Sequence, residues 1–178
     1  RAALHAAQLA YAVGVASTTS VFRGTPELHA PTRPTKAHAR RHPLPTLAKG
    51  HQPMSVSALA AGLPWRRVSW RNGTNALRAA HFAACRVTPA HDWQHALAPE
   101  VWLLCERSLD GSYDDKFFVI HLPPRTSLVR LVTLAHQRWA IEQQYQQLKT
   151  ELGLDHFEGR TYPGWNRHVA LTAVAYAF

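Results

Sequence analysis

Cysteine, methionine and acidic residues are scarce in this sequence, and no apolar run is long. The chain of 178 residues has two cysteines, one methionine and 11 acidic residues. Cys85 and Cys105 have no CxxC spacing, which excludes the disulfide framework of a small secreted domain and predicts reduced thiols in a cytoplasmic protein. Every apolar run is well below the ~18 residues that a membrane-spanning helix needs, so we expect no membrane role.

Positive charge is abundant by contrast. Twenty lysines and arginines give a formal net charge of +9 and a pI near 10.3, while 46% of the residues are hydrophobic. That composition predicts a folded basic protein with a polyanionic partner, nucleic acid before membrane. Because the chain begins without Met and ends inside the apolar run VALTAVAYAF, we interpret it as part of a longer protein.

A proline-rich basic stretch runs from Gly24 to Pro53. Its six prolines are expected to forbid regular structure. Its only acidic residue is Glu27, so the stretch carries a net positive charge. We predict an extended arm that is either a solvated linker or a contact to the phosphate backbone of DNA. The basic residues of this arm are Arg33, Lys36, Arg40, Arg41 and Lys49.

Short strand patterns lie on both sides of the arm. A helical segment, Arg1 to Leu9, leads into the β-branched run Tyr11 to Val15, which predicts a buried strand. After the arm, SVSALAAGL predicts a brief helix and RRVSW a strand that ends at the turn Asn72-Gly73. LRAAHFAACRVTP predicts another strand, and VWLLCERS is expected to pair with KFFVIHLP across the loop LDGSYDD. These segments predict a β-rich region with antiparallel pairing.

Basic and aromatic side chains alternate at the RRVSW strand. Arg66, Arg67 and Arg71 lie close to Trp65 and Trp70 in the sequence, a combination that favours nucleic-acid contact. The alternative is that these tryptophans belong to the core, as tryptophans at strand spacing more often do.

Two groups of residues suggest metal sites on weaker grounds. Asp114 and Asp115 are adjacent acids, but their Gly/Ser/Asp loop favours turn chemistry over metal binding. A second group has spacings that permit a zinc-dependent hydrolase, although a clear second ligand pair is missing. This group consists of His81, Cys85, His91 and His95.

A long helix is predicted from Leu128 to Leu152. At about 100° per residue, four of its side chains fall within roughly 60° of one another, at the edge of the apolar face. They are Arg138, Glu142, Tyr145 and Lys149. Such a stripe places a carboxylate between two cations where a helix would pack on a sheet. The alternative is a solvated surface pair, which a Glu and a Lys seven residues apart on an amphipathic helix usually form.

The stretch from Arg138 to Phe178 resembles the C-terminal half of bacterial insertion-sequence transposases of the DDE superfamily. In these enzymes the region of the catalytic glutamate reads Tyr-x2-Arg-x3-Glu-x6-Lys. Arg138, Glu142 and Lys149 keep this spacing, and ELGLDHFEGR follows as in the family, whereas Ala135 stands at the position of the Tyr. YAVGV, HQPMSVSALA, RRVSWRNGTN and RVTPAH are also similar, so the resemblance covers nearly the whole chain.

The resemblance implies an α/β fold, a partial RNase H-like fold interrupted by a β-rich insertion. It implies that residues 1–16 contain the last strand of the RNase H-like sheet and that residues 17–124 form the basic arm and insertion. Residues 125–178 would then carry the catalytic-glutamate helix and the helix after it. A bacterial, cytoplasmic protein that associates with the nucleoid when bound to DNA is expected.

The resemblance also implies metal-dependent cleavage of DNA and strand transfer in transposition. Three acidic residues would together bind two Mg²⁺ ions, and Glu142 would be the third of them. Arg138 and Lys149 would neutralise phosphates, and Tyr145 would contact DNA. The partners would be transposon ends and target DNA, with a homodimer on paired ends. The family's two aspartates are expected upstream of Arg1, so we predict that this chain alone neither cleaves nor joins DNA. The alternative is a non-catalytic nucleic-acid-binding module.

Overall fold

The computed structural model describes residues 7, 9–30, 44–71 and 77–177, without the side chains of 138–141 and 177. The chain divides into two compact units. The first comprises residues 1–70 and 77–135, and the second comprises residues 71–76 and 136–178. Of the predicted elements, the helix before Tyr11 lies almost entirely outside the described residues, as does the turn Asn72-Gly73.

An antiparallel sheet dominates the first unit. In the order β1-β9-β8-β7-β2-β5 each strand bonds to the next, and β6 also pairs with β7. The sheet strands are β1 (Tyr11–Val15), β2 (Ser20–Arg23), β5 (Met54–Ser55), β6 (Arg66–Trp70), β7 (Arg78–Pro89), β8 (Val101–Arg107) and β9 (Lys116–His121). The predicted strands are confirmed, including the pairing of β8 with β9, which places Trp102 opposite Ile120 and Glu106 opposite Lys116. The expectation that Tyr11–Val15 is buried is wrong, because β1 stands at the end of the strand order and its residues are only partly buried or exposed.

Strand β7 organises this sheet because its twelve residues pair with three neighbours. Its first half bonds to β6, with Arg66 opposite Phe82, and its last residues bond to β2, with Val21 opposite Pro89. Its other side bonds to β8, where residues 81–87 of β7 pair with the whole length of β8. Successive side chains of a strand point to opposite faces, so each face of this sheet receives every second residue.

One face of the sheet is covered by the short helix α1 (Val56–Ala61). Val56, Leu59 and Ala60 of this helix are buried against Leu103 and other apolar residues of β7, β8 and β9. The helix begins where it does because the Ser55 side chain accepts a hydrogen bond from the Ala58 amide at 3.2 Å, a standard N-cap. The predicted brief helix is thus confirmed.

The opposite face is covered by α2 (Leu128–His136). Leu131 and Val132 are buried there with Phe82, Leu104 and Ile120. Because both faces carry apolar layers, β8 reads as a nearly continuous buried strand and not as a strict alternation of apolar and polar residues.

Within the arm, the expectation that the prolines forbid regular structure is wrong at one place. β3 (Leu28–His29) pairs antiparallel with β4 (Thr46–Leu47). Neither of these strands contains proline, so each keeps the backbone donors that a ladder needs. Residues 31–43 lie outside the described residues.

The second unit contains α3 (Arg138–Thr150) and α4 (Tyr162–Ala177). The single helix predicted from Leu128 to Leu152 is therefore wrong, because α2 ends at His136 and α3 begins after Gln137. The ψ of Gln137 is −12°, which departs from the roughly −42° of a continuous α-helix. Hydrophobic periodicity alone did not indicate this break.

At the level of fold class, the predicted mixture of helices with a β-rich region is confirmed. β1, which we predicted to belong to an RNase H-like sheet, pairs antiparallel with β9, so that Tyr11 lies opposite His121. The partial RNase H-like fold and the three-part division of the chain stay predictions. None of the helices in the described ranges is long and apolar enough to cross a membrane.

Candidate nucleic-acid and metal-binding residues

Helix α3 carries the predicted catalytic stripe. Glu142, Tyr145 and Lys149 are all exposed on this one helix, and 57% of the Tyr145 surface is accessible. The backbone of Arg138 begins the helix, but its side chain lies outside the described residues. The helical spacing thus places these three side chains on one exposed stripe, and their role in catalysis stays a prediction.

Hydrogen bonds join α3 and the turn that follows it to α4. Gly153 has a φ of +67°, a left-handed conformation that favours glycine. Its carbonyl lies 3.0 Å from Nε2 of His168 on α4. Farther along, the Tyr176 hydroxyl donates a hydrogen bond of 3.1 Å to the Gln147 side chain. These contacts fix the two helices of the second unit against each other and so hold the stripe on a defined support.

An aromatic cluster fills the loop between α3 and α4. The Phe157 ring lies 5.6 Å from Trp165 and 5.4 Å from His168, measured between ring centroids. A Cβ on Gly159 would clash with the Phe157 ring, so a larger residue at this position would require that ring to shift. The HFEGR part of the sequence therefore serves to pack the loop that follows the stripe.

The predicted DNA-contacting residues of the arm mostly lie outside the described residues. These are Arg33, Lys36, Arg40 and Arg41. Lys49, at the other end of the arm, is exposed. Their part in DNA binding stays a prediction.

The basic and aromatic residues around β6 divide into two groups. Arg66 and Arg71 are exposed, whereas Trp65 and Trp70 are partly buried. Trp70 packs edge-on against Phe82 with ring centroids 5.3 Å apart. The alternative that these tryptophans pack with the core is confirmed, while the arginines stay candidate contacts to DNA.

Sequence reasoning missed a second use of Trp65. The Arg107 guanidinium lies over its ring, 4.1 Å from the centroid. The same guanidinium donates to Asp115, with Nη2 2.7 Å and Nε 3.0 Å from the carboxylate oxygens. This hydrogen bonding raises the pKa of Arg107. A planar group held both by a ring and by a bidentate carboxylate has a fixed orientation.

The loop between β8 and β9 shows the turn chemistry that its composition predicted. Ser108 bonds to the Asp110 carboxylate, and the Ser112 amide donates to the same carboxylate at 3.1 Å. These bonds, with Ser108 first, lower the pKa of Asp110 to about 2. Gly111 completes the turn with a φ of +74°. Asp114 is exposed in this loop.

A buried carboxylate next to this loop also escaped prediction. Glu106 is 1% exposed and accepts a hydrogen bond of 2.8 Å from the Tyr113 hydroxyl. Lys116 lies 3.8 Å from Glu106 and sits over the Tyr113 ring at 4.0 Å. Burial, followed by the bond to Glu106, raises the pKa of Tyr113. The alternation of strand positions gave no signal for a buried acid here.

The residues of the suggested zinc site lie on different parts of the first unit. His81 and Cys85 belong to β7, whereas His91 and His95 lie in the turn after it. Burial raises the pKa of the Cys85 thiol to about 11, which disfavours the thiolate that zinc binds. Across the described ranges, no group of three or more histidines, cysteines and acids is arranged to hold a metal ion.

A Mg²⁺ site in the second unit would likewise need several ligands held close together. Glu142 offers the hard oxygen ligand that Mg²⁺ prefers. The described residues supply no cluster of three ligands around it, so by themselves they do not fit a two-metal centre, which needs several shared carboxylates.

Comparison with known proteins gives one match. Residues 1–77 match the family model described as DDE superfamily endonuclease. No curated protein and no solved structure matches the chain. The matched stretch includes β1, the arm, α1 and β6, and it ends well before Glu142. The predicted resemblance to the DDE superfamily is thereby confirmed, since residues 1–77 of this chain are similar to the DDE superfamily endonucleases.

Proposed function

We propose that this chain is part of a DNA transposase that cleaves phosphodiester bonds and transfers strands in DNA transposition. The family match over residues 1–77 carries this proposal, since a DDE-type endonuclease acts on DNA. The net charge of +9 supports it, because a protein of this charge attracts a polyanion over a long range. Arg66 and Arg71 are both exposed and available for phosphate contact.

Glu142 is the residue that we assign to metal binding. It belongs to the Arg-x3-Glu-x6-Lys spacing and lies exposed on α3, one helical turn from Tyr145 and two from Lys149. A carboxylate in this setting would contribute an oxygen ligand to Mg²⁺, which when bound polarises the phosphoryl oxygens. The further ligands of such a centre would come from aspartates outside the described residues.

Three neighbours of Glu142 would position DNA. Lys149 presents an ammonium that neutralises a phosphate, and Arg138 would act similarly through its planar guanidinium. Tyr145 has an exposed ring and hydroxyl, which suit stacking or hydrogen bonding to DNA. In this proposal α3 is a wall that holds one metal ligand between groups that bind phosphate.

A non-catalytic nucleic-acid-binding module is the second candidate. The exposed Arg66 and Arg71 beside two partly buried tryptophans favour it. Both candidates predict DNA binding, but only the enzyme gives Glu142 a role in cleavage.

The substitution Glu142→Gln separates the two candidates. It should be made in an enzyme that carries this chain together with the two sheet aspartates of the superfamily. Loss of a metal-binding carboxylate should lower Mg²⁺-dependent strand cleavage by about a hundredfold or more, with DNA affinity retained. Cleavage is measured on a labelled transposon-end duplex, and affinity by fluorescence anisotropy.

Glu151→Gln is the matched control. Glu151 is an exposed acid at the C-terminal cap of the same helix and lies outside the predicted stripe. The two substitutions remove the same charge, so a general electrostatic effect would change cleavage equally. Unchanged cleavage in the Glu142→Gln enzyme would remove the catalytic assignment of α3 and leave the binding module as the better description.

A further inference from the structure

A row of basic side chains crosses three strands of the sheet. The register places Arg67 of β6 opposite His81 of β7, and His81 opposite Arg107 of β8. Side chains at directly paired positions point to the same face, so all three lie on one face of the sheet, which is the face of Trp65 and α1. We call Arg67, His81 and Arg107 the cross-strand row.

Charge in this row is only partly balanced. Arg107 is paired with Asp115 at 2.7 Å. Among the described residues no carboxylate lies within 4 Å of Arg67, whose side chain is exposed. By contrast with Arg67, Arg86 on β7 has its charge balanced, because it donates hydrogen bonds to both the carboxylate and the backbone carbonyl of Glu100. Positive side chains at paired positions of neighbouring strands repel one another and destabilise the sheet unless an anion approaches them.

The row is also partly preorganised. The Trp65 ring supports the Arg107 guanidinium from one side, so part of the side-chain entropy of Arg107 is already lost before it meets an anion. The half-buried His81 adds a ring N–H donor between the two arginines in any protonation state. Neighbouring strands are about 4.8 Å apart, so the row presents donors over about 10 Å.

We propose that the cross-strand row is a contact surface for the phosphate backbone of DNA, in which Arg67, one of the predicted basic residues, acts together with His81 and Arg107. This inference rests on the proposed function in taking DNA as the polyanion. It adds the place on the sheet, around Arg67 and Arg107, that the backbone contacts. A line of donors longer than a single phosphate suits a repeating polyanion better than a small anion.

Arg67→Gln tests the proposal in the whole chain. Binding to a mixed-sequence duplex of 30 base pairs is measured by fluorescence anisotropy between 50 and 200 mM salt. Loss of one phosphate contact should lower the slope of log affinity against log salt by about one unit. Arg23→Gln is the control, because Arg23 is an exposed arginine of the same sheet on β2, outside the row.

Asp115→Asn tests the row in the opposite direction. Removing the carboxylate that balances Arg107 should tighten binding at 50 mM salt on the order of threefold. The control is Asp92→Asn, which changes net charge equally in an exposed turn. Asp92 has a φ of 55°, which asparagine tolerates well. Circular dichroism checks that each variant is folded.

The results discriminate between this inference and the function on which it rests. A lower slope for Arg67→Gln with an unchanged Arg23→Gln, and tighter binding for Asp115→Asn than for Asp92→Asn, would support the row. Equal effects within each pair would overturn it while leaving DNA binding intact. Failure of the unsubstituted chain to bind DNA with any salt dependence would contradict the proposed function itself.

Discussion

Cys85 and Cys105 lie on the same face of neighbouring strands, and the sheet keeps both as free thiols. Burial raises the pKa of Cys85 to about 11 and that of Cys105 to about 12. At pH 8 only about one thiol in a thousand, or fewer, is then the reactive thiolate. We therefore expect the folded chain to react slowly with a thiol-specific disulfide reagent such as DTNB.

The same reaction in urea provides the control. Unfolding removes the burial that raises both pKa values, so the two thiols should react at the rate of a free cysteine. The absorbance of the released thiolate measures both rates. Fast reaction of the two thiols in the folded chain would show that β7 and β8 do not bury these positions as described.

At the scale of single residues, the sequence predicted the placement of side chains where that placement depends on local spacing. Glu142 and Lys149 share a helix, and their common stripe follows from residue spacing alone. The arrangement of Arg107, Trp65 and Asp115 joins three separate elements, and no local pattern encodes such a pairing. Glu106 is similar, because its burial depends on Tyr113 and Lys116 across a hairpin.

Among the elements, α2 shows how a helix is held on the sheet. Leu131 is 1% exposed and packs with Phe82 and Ile120, whereas 58% of the surface of Val129 is accessible two residues earlier. Leu131→Ala should lower the free energy of unfolding by about 2–5 kcal/mol, because it removes buried methyl groups and leaves a cavity. Urea unfolding followed by far-UV circular dichroism gives this value.

Val129→Ala is the matched control on the same helix. It also removes methyl groups, but from an exposed position, and alanine favours helix over valine, so a change within about 0.5 kcal/mol is expected. Similar losses in the two variants would mean that α2 is not anchored through Leu131.

Helices and strands with a strong local sequence pattern were predicted, whereas features with a weak local pattern were missed. β6, β7, β8 and β9 were predicted because β-branched and apolar runs are bounded by turn residues. The break at Gln137 was not predicted, because the helical periodicity of the sequence continues through this residue. Only the backbone geometry shows that one helix ends and another begins there. The short pair of β3 and β4 was also missed, because two-residue strands carry no periodicity.

For the whole molecule, the main electrostatic feature is an excess of positive charge, and this excess complicates any assignment of a DNA surface. A chain with a net charge of +9 attracts DNA over a distance of about one Debye length, wherever its charges lie. The salt slope isolates the groups that displace counterions, because each phosphate contact contributes about 0.9 to it. Matched substitutions therefore distinguish contact from general attraction.

The proline-rich arm can be tested on this basis. Replacing Arg40 and Arg41 together by glutamine should lower the salt slope by about two units if both contact phosphate. Combination with Arg67→Gln should lower it by about three, since contacts to separate phosphates add. The control replaces Arg23 and Arg125, both exposed, and removes the same charge from other places. An equal fall in that control would assign the effect to net charge, and an unchanged slope in the Arg40/Arg41 variant would make the arm a passive linker.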